Sequence, residues 1–344
     1  MKKKIIINML SSADKVPGQG VGSAYLELVR LLTRGGGVKF DIRINAHGKA
    51  DINHFHTVDP QFFLKMKASK AVNVVYCHFL PDTLDGSIRI PRLFFGIFKR
   101  YVTAFYRSAD YLVVVNPIFK KELERYGIKK ERMVYIPNYV SKTAFYPRPA
   151  AERMQLRQQY GIAEDAFVVL GVGQVQTRKG VMDFVETARL MPDVTFIWAG
   201  GFSFGRITDG YEKLKRVVED PPRNVRFLGI VPRDQMNDIF NLSDVLFVPS
   251  YNELFPMAIL EAVNLHLPLV LRDLDLYEDI LFHQYMACAD NAGFARALRI
   301  LKEDPHEYQK YVSASSALSE YYSQEHVWAK WEEFYQRAYR HGKW

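Results

Sequence analysis

Short runs rich in β-branched residues alternate with helix-length segments along the chain, and the alternation occurs twice over. In the first half, Lys4–Asn8, Asp41–Asn45, Asp51–His56, Asn73–His78, Tyr111–Val115 and Met133–Ile136 read as strands. Helices at Ser23–Leu32, Ile90–Arg107 and Lys120–Tyr126 lie among them. The second half starts afresh with a helix at Ala151–Tyr160, then strands at Phe167–Gly171, Val194–Ala199, Val225–Leu228, Asp244–Val248 and Leu269–Leu271. Helices at Val181–Leu190, Ala258–Leu265, Phe294–Leu301 and His326–Arg340 complete it. Apolar strands joined by crossover helices specify parallel sheets buried on both faces. The fold class is α/β, with two Rossmann-like parallel-sheet domains facing across a cleft. Pro147 and Pro149, with a change of composition, mark the boundary, giving domains at 1–147 and 148–325. The helix in 326–344 is expected to pack back on the N-terminal domain.

A chain of 344 residues has length for two domains, each with its own core. No apolar stretch approaches the roughly 18–20 residues of a spanning helix, and the apolar run after Lys2-Lys3-Lys4 stops at Asn8, too early for a signal peptide. Cys77 and Cys288 make no disulfide framework and suit a reducing cytosol. Net charge is +8, and between Arg89 and Arg132 eleven Lys/Arg stand against four Asp/Glu. Nucleic acid, an anionic membrane face or an acidic substrate would each explain that basic stretch.

The most informative turn runs Pro249-Ser250-Tyr251-Asn252-Glu253-Leu254-Phe255-Pro256-Met257, between a strand and the helix that carries Glu261. Pro256 suits a first helical turn, where its missing N–H is not needed. A helix starting near Phe255–Met257 aims free amides and its positive dipole end at the loop. Such a turn can hold a sugar diphosphate, with amides for phosphate, one carboxylate for sugar hydroxyls and another for ribose. Two solvated acids near a helix start would look the same in isolation. A second polar turn, Gly173-Gln174-Val175-Gln176-Thr177-Arg178-Lys179-Gly180, brings cations to a helix start, where Lys is a point charge and Arg a fork for phosphate.

In the first half, Gly18, Gly20 and Gly22 precede the helix at Ser23 and suit close backbone approach to a phosphate, as well as a merely flexible turn. His56 and His78 end strands, where ligands of doubly wound sheets bind, although a histidine in a core is often structural. Phe94, Phe98, Tyr101 and Phe105 recur at helical spacing, with Phe95 beside them and Arg92, Lys99, Arg100 and Arg107 among the rings. That is the pattern of a helix lying at a lipid headgroup layer, and equally of an amphipathic helix facing a core.

Glu253-x7-Glu261, with Pro249-Ser250 and Glu261-Ala262 at its flanks, resembles the retaining GT-B glycosyltransferases. Tyr111–Asn116, Ile136-Pro137-Asn138, Gly171-Val172-Gly173, Arg178-Lys179-Gly180 and Phe227-Leu228-Gly229 fall at that family's landmarks, so the resemblance covers essentially the whole chain. Asn8–Ala13, Gly171–Gln176 and Arg272–Tyr277 are similar to bacterial α-galactosyl-glucosyl-diacylglycerol synthases. Departures are Gln174, where the family has arginine, and Asn138-Tyr139, where it has Asn-Gly.

The resemblance implies transfer of a hexose, galactose favoured, from a UDP-hexose to a membrane glycolipid such as monoglucosyl-diacylglycerol. It assigns Lys179, helped by Arg178, to the diphosphate and Glu261 to the ribose. Glu253 and the amides of Phe255, Pro256 and Met257 (where an N–H exists) would hold the sugar, with His78 meeting it from the other domain on closure. Gly20, Gly22, Gly173 and Val231 complete the expected nucleotide-sugar set. His56, Arg92, Phe94, Phe95, Phe98, Lys99 and Arg100 form the expected acceptor and membrane set, on a peripheral enzyme at the cytoplasmic face of an anionic membrane. Retention is expected through front-face attack, the leaving phosphate taking the acceptor's proton. No cofactor or metal is expected, since cations and a helix end already face the diphosphate, although Asp273-x-Asp275 resembles a metal-binding pair. No nucleic-acid partner is expected. A polysaccharide or cell-wall acceptor is the alternative, followed by a non-catalytic membrane-surface protein. A glycoside hydrolase would need its carboxylates flanking one bond and would leave the Lys-bearing loop idle.

Overall fold

The computed structural model describes residues 3–13, 20–37, 39–81, 92–203 and 205–343. The chain separates into two compact units, the first taken from the chain before Val140 together with the segment from Tyr322 onward, the second Val140–Tyr321.

The first unit runs β1 (Ile5–Leu10), α1 (Gly20–Gly36), β2 (Phe40–Ile44), β3 (Ile52–Phe55), α2 (Pro60–Ala68), β4 (Val72–Cys77), α3 (Arg92–Ser108), β5 (Tyr111–Val114), α4 (Ile118–Arg125) and β6 (Met133–Tyr135). Its sheet has the order β2-β1-β3-β4-β5-β6, with every pairing parallel. The second unit contains α5 (Ala150–Gln159), β7 (Val168–Val172), α6 (Val181–Arg189), β8 (Thr195–Ala199), α7 (Tyr211–Glu219), β9 (Val225–Phe227), α8 (Met236–Leu242), β10 (Val245–Val248) and α9 (Met257–Asn264). It continues through β11 (Leu269–Arg272), α10 (Glu278–Leu281), β12 (Met286–Cys288), α11 (Asn291–Glu303) and α12 (Pro305–Tyr321). Its sheet has the order β12-β11-β10-β7-β8-β9, again parallel throughout. The last helix, α13 (Gln324–His341), belongs to the first unit.

Amphipathic spacing explains how α13 packs. Val327, Trp331, Phe334, Tyr335 and Ala338 recur at three- and four-residue intervals, and all are buried. Trp331 meets His54 and Tyr76 at 5.3 and 5.2 Å between ring centroids, and Phe334 meets Tyr111 at 5.9 Å. α1 approaches this helix closely at Gly35, where a Cβ would stand 2.9 Å from the Trp328 ring. Three successive glycines before β2 read from sequence as a turn at Gly35-Gly36-Gly37, whereas α1 runs on to Gly36.

Two other expectations change. The helix expected from Ser23 already begins at Gly20, so Gly20 and Gly22 lie in its first turn and not in a preceding loop, while Gly18 lies outside the described residues. A Cβ at Gly22 would stand 2.9 Å from the Ala13 carbonyl oxygen, so glycine there allows close backbone packing. The chain passes into the second unit at Val140, before the prolines at 147 and 149. Phe145 and Arg148 already belong to that unit: Phe145 packs on Phe240 at 5.7 Å, and the amides of Tyr146 and Arg148 donate to Asn237 and Asn241 of α8.

Candidate active site

β7 and β10 are neighbours at the centre of the second sheet, yet the chain leaves them in opposite directions, β7 toward β8 and β10 toward β11. That reversal is a topological switch point, where the carboxyl ends of strands leave a crevice for a ligand. The turn 173–180 follows β7, and the turn 249–256 follows β10. They touch through backbone. Gly180 has φ +68°, and a Cβ on it would lie 2.3 Å from the Pro249 carbonyl oxygen, so only glycine fits both the conformation and the space. Gly173, at φ +149°, has its carbonyl held by the Trp198 indole at 2.9 Å, and a Cβ on Gly200 would collide with that carbonyl.

Neither motif acid is solvated: Glu253 is 6 % exposed and Glu261 3 %. Lys179 Nζ donates to Glu253 Oε1 at 2.5 Å, and Arg178 Nη1 stands 4.0 Å from Oε2. Arg178 also donates to the Asn252 carbonyl at 2.7 Å, tying one turn to the other. Burial by itself would raise the Glu253 carboxyl, but Lys179, Arg178 and hydrogen bonds from Lys179 and Ser250 outweigh it and hold the group below its ordinary value. Burial also lowers Lys179, with Glu253 opposing and Arg178 reinforcing the shift. Gln174, standing where the family has arginine, accepts from Gln176 at 2.7 Å and brings no charge.

Glu261 accepts from Arg233 Nη1 at 2.6 Å, and the Arg233 guanidinium lies 4.9 Å from the Phe145 ring centroid. Pro256 caps α9 from an extended conformation (φ −65°, ψ 124°), one position earlier than the first-turn place its sequence suggests. Phe255 and Met257 are buried beside it, the Ile259 amide donates to the Pro256 carbonyl at 3.1 Å, and α9 begins directly after the turn that holds Glu253, where the first amides of a helix lack i−4 partners. The turn itself is clamped by Arg272, whose Nε donates to the Pro249 carbonyl at 2.9 Å and whose guanidinium lies 3.9 Å from the Tyr251 ring centroid. Asp183 joins both, 3.2 Å from Arg272 Nη2 and accepting from the Tyr251 hydroxyl at 3.0 Å. Among the described residues, Asp273 and Asp275 join no group of three or more acid, histidine or cysteine side chains spaced to hold a metal. Val231 is half-buried in the segment between β9 and α8.

In the first unit, His54, His56 and His78 come together. His56 and His78 share a hydrogen bond between Nδ1 and Nε2 at 3.3 Å, and His54 Nδ1 meets the Tyr335 hydroxyl at 2.8 Å. His56 and His78 follow β3 and β4, and the Tyr76 ring lies 4.3 Å from that of His78. Burial pushes His78 down to about 3, and burial plus its histidine neighbours keeps His56 well below its ordinary value, so both rings are neutral at pH 7. Tyr139, in the place of the family's glycine, does not take up a left-handed conformation, and its hydroxyl donates to Gln324 at 3.2 Å.

Along α3, Val102, Phe105 and Tyr106 are buried, Phe95 and Phe98 are half-buried, and Gly96, Ile97 and Arg100 are exposed. Among the described side chains the helix has no buried residue from Phe95 to Tyr101 and is core-facing from Val102 on, with Ala104 and Arg107 still exposed. Lys99 stands 5.4 Å from the Tyr126 ring centroid. The side chains of Arg92 and Phe94 lie outside the described residues. Arg233, Arg272 and Asp183 have no role assigned from sequence, where Arg272 appears only within Arg272–Tyr277. Only the mutual position of β7, β10, β11 and α6 brings the latter two to the turn.

The family model for group 1 glycosyl transferases matches residues 152–317, and that for glycosyltransferase family 4 matches residues 19–143. The chain is 46% identical to the alpha-galactosylglucosyldiacylglycerol synthase of Streptococcus pneumoniae, over 98% of this chain and 90% of that protein. It is 27% identical to the processive diacylglycerol alpha-glucosyltransferase of Acholeplasma laidlawii, over 84% and 85% of the two chains. Among solved structures it resembles HepE of Anabaena in complex with UDP-glucose (TM-score 0.77, 16% identity, 97% of this chain and 100% of that one). Sucrose-phosphate synthase of Thermosynechococcus elongatus is similar at TM-score 0.81, with 14% identity over 98% of this chain and 100% of that one. Two parallel six-stranded sheets, a charged switch-point crevice and these likenesses agree: the chain belongs to the group 1 glycosyl transferases and has the GT-B fold.

Proposed function

We propose that the chain moves a hexose, galactose favoured, from UDP to a glucosyl-diacylglycerol acceptor, with retention of anomeric configuration. The observation that carries the donor half is the buried Lys179–Glu253 pair beside the α9 amides at the switch point. The acceptor half rests on the 46% identity, over nearly the full chain, to a protein named for a galactosylglucosyl-diacylglycerol product.

In this reading Lys179 and Arg178 take the charge that develops on the leaving diphosphate, which is where fixed positive groups accelerate transfer most. The α9 amides add dipole and hydrogen bonds to the same anion. Glu261, oriented by Arg233, takes the ribose hydroxyls, and Glu253 takes hydroxyls of the hexose. His78, neutral at working pH, hydrogen-bonds the hexose. Retention follows from front-face attack, with the departing phosphate accepting the acceptor's proton. The cations and the helix end supply the charge a metal would bring. Gly173 allows close backbone approach, and Gly20, Gly22 and Val231 contribute to the nucleotide-sugar site. The acceptor stays in its bilayer, so the exposed end of α3, with Ile97, Arg100 and the neighbouring Lys99, meets an anionic lipid surface as a peripheral contact. Among the described residues no helix is long and apolar enough to cross a membrane.

The test is a donor screen with labelled UDP-galactose and UDP-glucose on glucosyl-diacylglycerol in vesicles. The expected product is a diglycosyl lipid with an α linkage by NMR. A β linkage would remove retention from the reading, and transfer to polysaccharide without lipid would replace the acceptor.

A further inference from the structure

Both cations given to the diphosphate already face a carboxylate. Lys179 donates to Glu253 at 2.5 Å, Arg178 stands 4.0 Å from the other oxygen, and the lysine and glutamate side chains are 15% and 6% exposed. A diphosphate placed on Lys179 would meet a buried like charge on the same nitrogen. Either the carboxylate moves away or the diphosphate binds weakly. There is a donor ready to receive it: the Tyr277 hydroxyl is buried without a hydrogen-bond partner among the described residues, and Tyr277 feels the Glu253 charge.

We infer that Glu253 is an internal competitor for the donor's diphosphate, and that it thereby sets the preference for UDP-hexose over the product UDP. With UDP, the carboxylate displaced from Lys179 gains only the Tyr277 hydroxyl, one neutral hydrogen bond in place of an ion pair. With UDP-hexose, the displaced carboxylate accepts hydrogen bonds from sugar hydroxyls, and its ion pair is replaced. The acid weakens product binding and leaves donor binding intact, which speeds UDP release after transfer. This inference rests on the assignment of Lys179 to the diphosphate.

Calorimetry with UDP and with UDP-galactose, on wild type, Glu253→Gln, Lys179→Ala and the double variant, tests it. Glu253→Gln is expected to bind UDP about tenfold more tightly, the scale of one charge-assisted hydrogen bond, and to bind UDP-galactose no more tightly. The gain should vanish in the Lys179→Ala background. Glu253→Asp, which keeps the charge but shortens the reach to Lys179, is the second variant and should tighten UDP by a smaller factor. UDP affinity unchanged or weaker in both Glu253 variants, with Lys179→Ala still weakening UDP, overturns the inference alone. Equal tightening for UDP and UDP-galactose overturns the selectivity, and a gain that persists without Lys179 overturns the competition. An unaltered UDP affinity in Lys179→Ala overturns the diphosphate assignment beneath it.

Discussion

Arg233 donates to Glu261 across 2.6 Å, so the acid buried in α9 is oriented by a guanidinium from the segment before α8. The pair has a rigid backing, because Arg233 also lies over the Phe145 ring. Removing Arg233 takes the guanidinium away from a carboxylate that is 4% exposed. Arg233→Met should therefore weaken UDP binding roughly 10-fold, about 1.4 kcal/mol, without touching the ribose directly. Glu261→Gln should weaken UDP more than it weakens 2′-deoxy-UDP, because part of its contribution is a hydroxyl contact. Calorimetry with both nucleotides checks this, and an equal loss for both would detach Glu261 from the ribose.

Lys179→Ala should reduce UDP affinity by about 10- to 150-fold, the range of a charge-assisted bond worth about 1.5–3 kcal/mol. It also leaves Glu253 buried without its nearest cation, so a modest fall in melting temperature is expected alongside. Lys179→Arg separates the two effects. It keeps the charge but, with a planar fork, restores stability better than affinity.

Gly180→Ala should destabilise the second unit by about 1–3 kcal/mol, since it forces a Cβ into a left-handed position. The same Cβ would press on the Pro249 carbonyl, so the two site turns must part. Thermal denaturation and UDP affinity should fall together. A variant with lower stability and unchanged UDP affinity would show that the contact is structural only.

The histidines predict an acid limb to stability. The folded pKa of His78 is about 3, below its ordinary value, so between pH 6.5 and 3 the unfolded chain binds a proton that the native chain does not. The stabilising contribution is fully present above pH 6.5 and is lost as pH falls through that window, by about 1.4 kcal/mol per pH unit for each such group. Burial lowers His54 and His56 in the same direction. Urea unfolding at pH 7 and pH 5 should show the loss, and His78→Gln should make the slope shallower. His78→Ala should also slow turnover with UDP affinity kept, and turnover within about twofold of wild type would leave His78 a structural residue.

Binding to lipid should depend on charge. Lys99→Glu with Arg100→Glu should reduce sedimentation with anionic vesicles, at about 1 kcal/mol per basic residue near the surface, and salt should do the same. Equal binding to neutral and anionic vesicles would rule out the electrostatic contribution. Ile97→Ser tests the apolar share, because Ile97 is 59% exposed whereas Phe98 is half-buried.

Most strands, and the two acids, are legible in the sequence because periodicity and turn chemistry are local. The Glu253–Glu261 spacing requires only a strand, a turn and a helix. What escapes local reading is instructive. In α8 nearly every residue is buried, so no polar face marks it as helical. In α12 a serine-rich sequence keeps the amphipathic signal weak. Gly20 and Gly22 look like loop residues because glycine is a poor helix former, but both lie in α1, where Gly22 packs closely on Ala13. Arg233 and Arg272 are ordinary loop and strand-end cations until the fold brings Glu261 and Pro249 to them. An aromatic helix such as α3 cannot show from spacing alone which of its ends the core will claim.

The return of α13 to the first unit fixes an order of events during synthesis. Trp331, Phe334 and Tyr335 fill the face of the first sheet that carries His54, Tyr76 and Tyr111. These rings are translated only after the whole of Val140–Tyr321. On the ribosome the second unit therefore has all of its own core first, while the earlier-made unit waits with an uncovered aromatic face. Nascent chains halted before residue 324 are expected to be the aggregation-prone species, and a chaperone that binds exposed aromatic surface is expected to act on the segment made first.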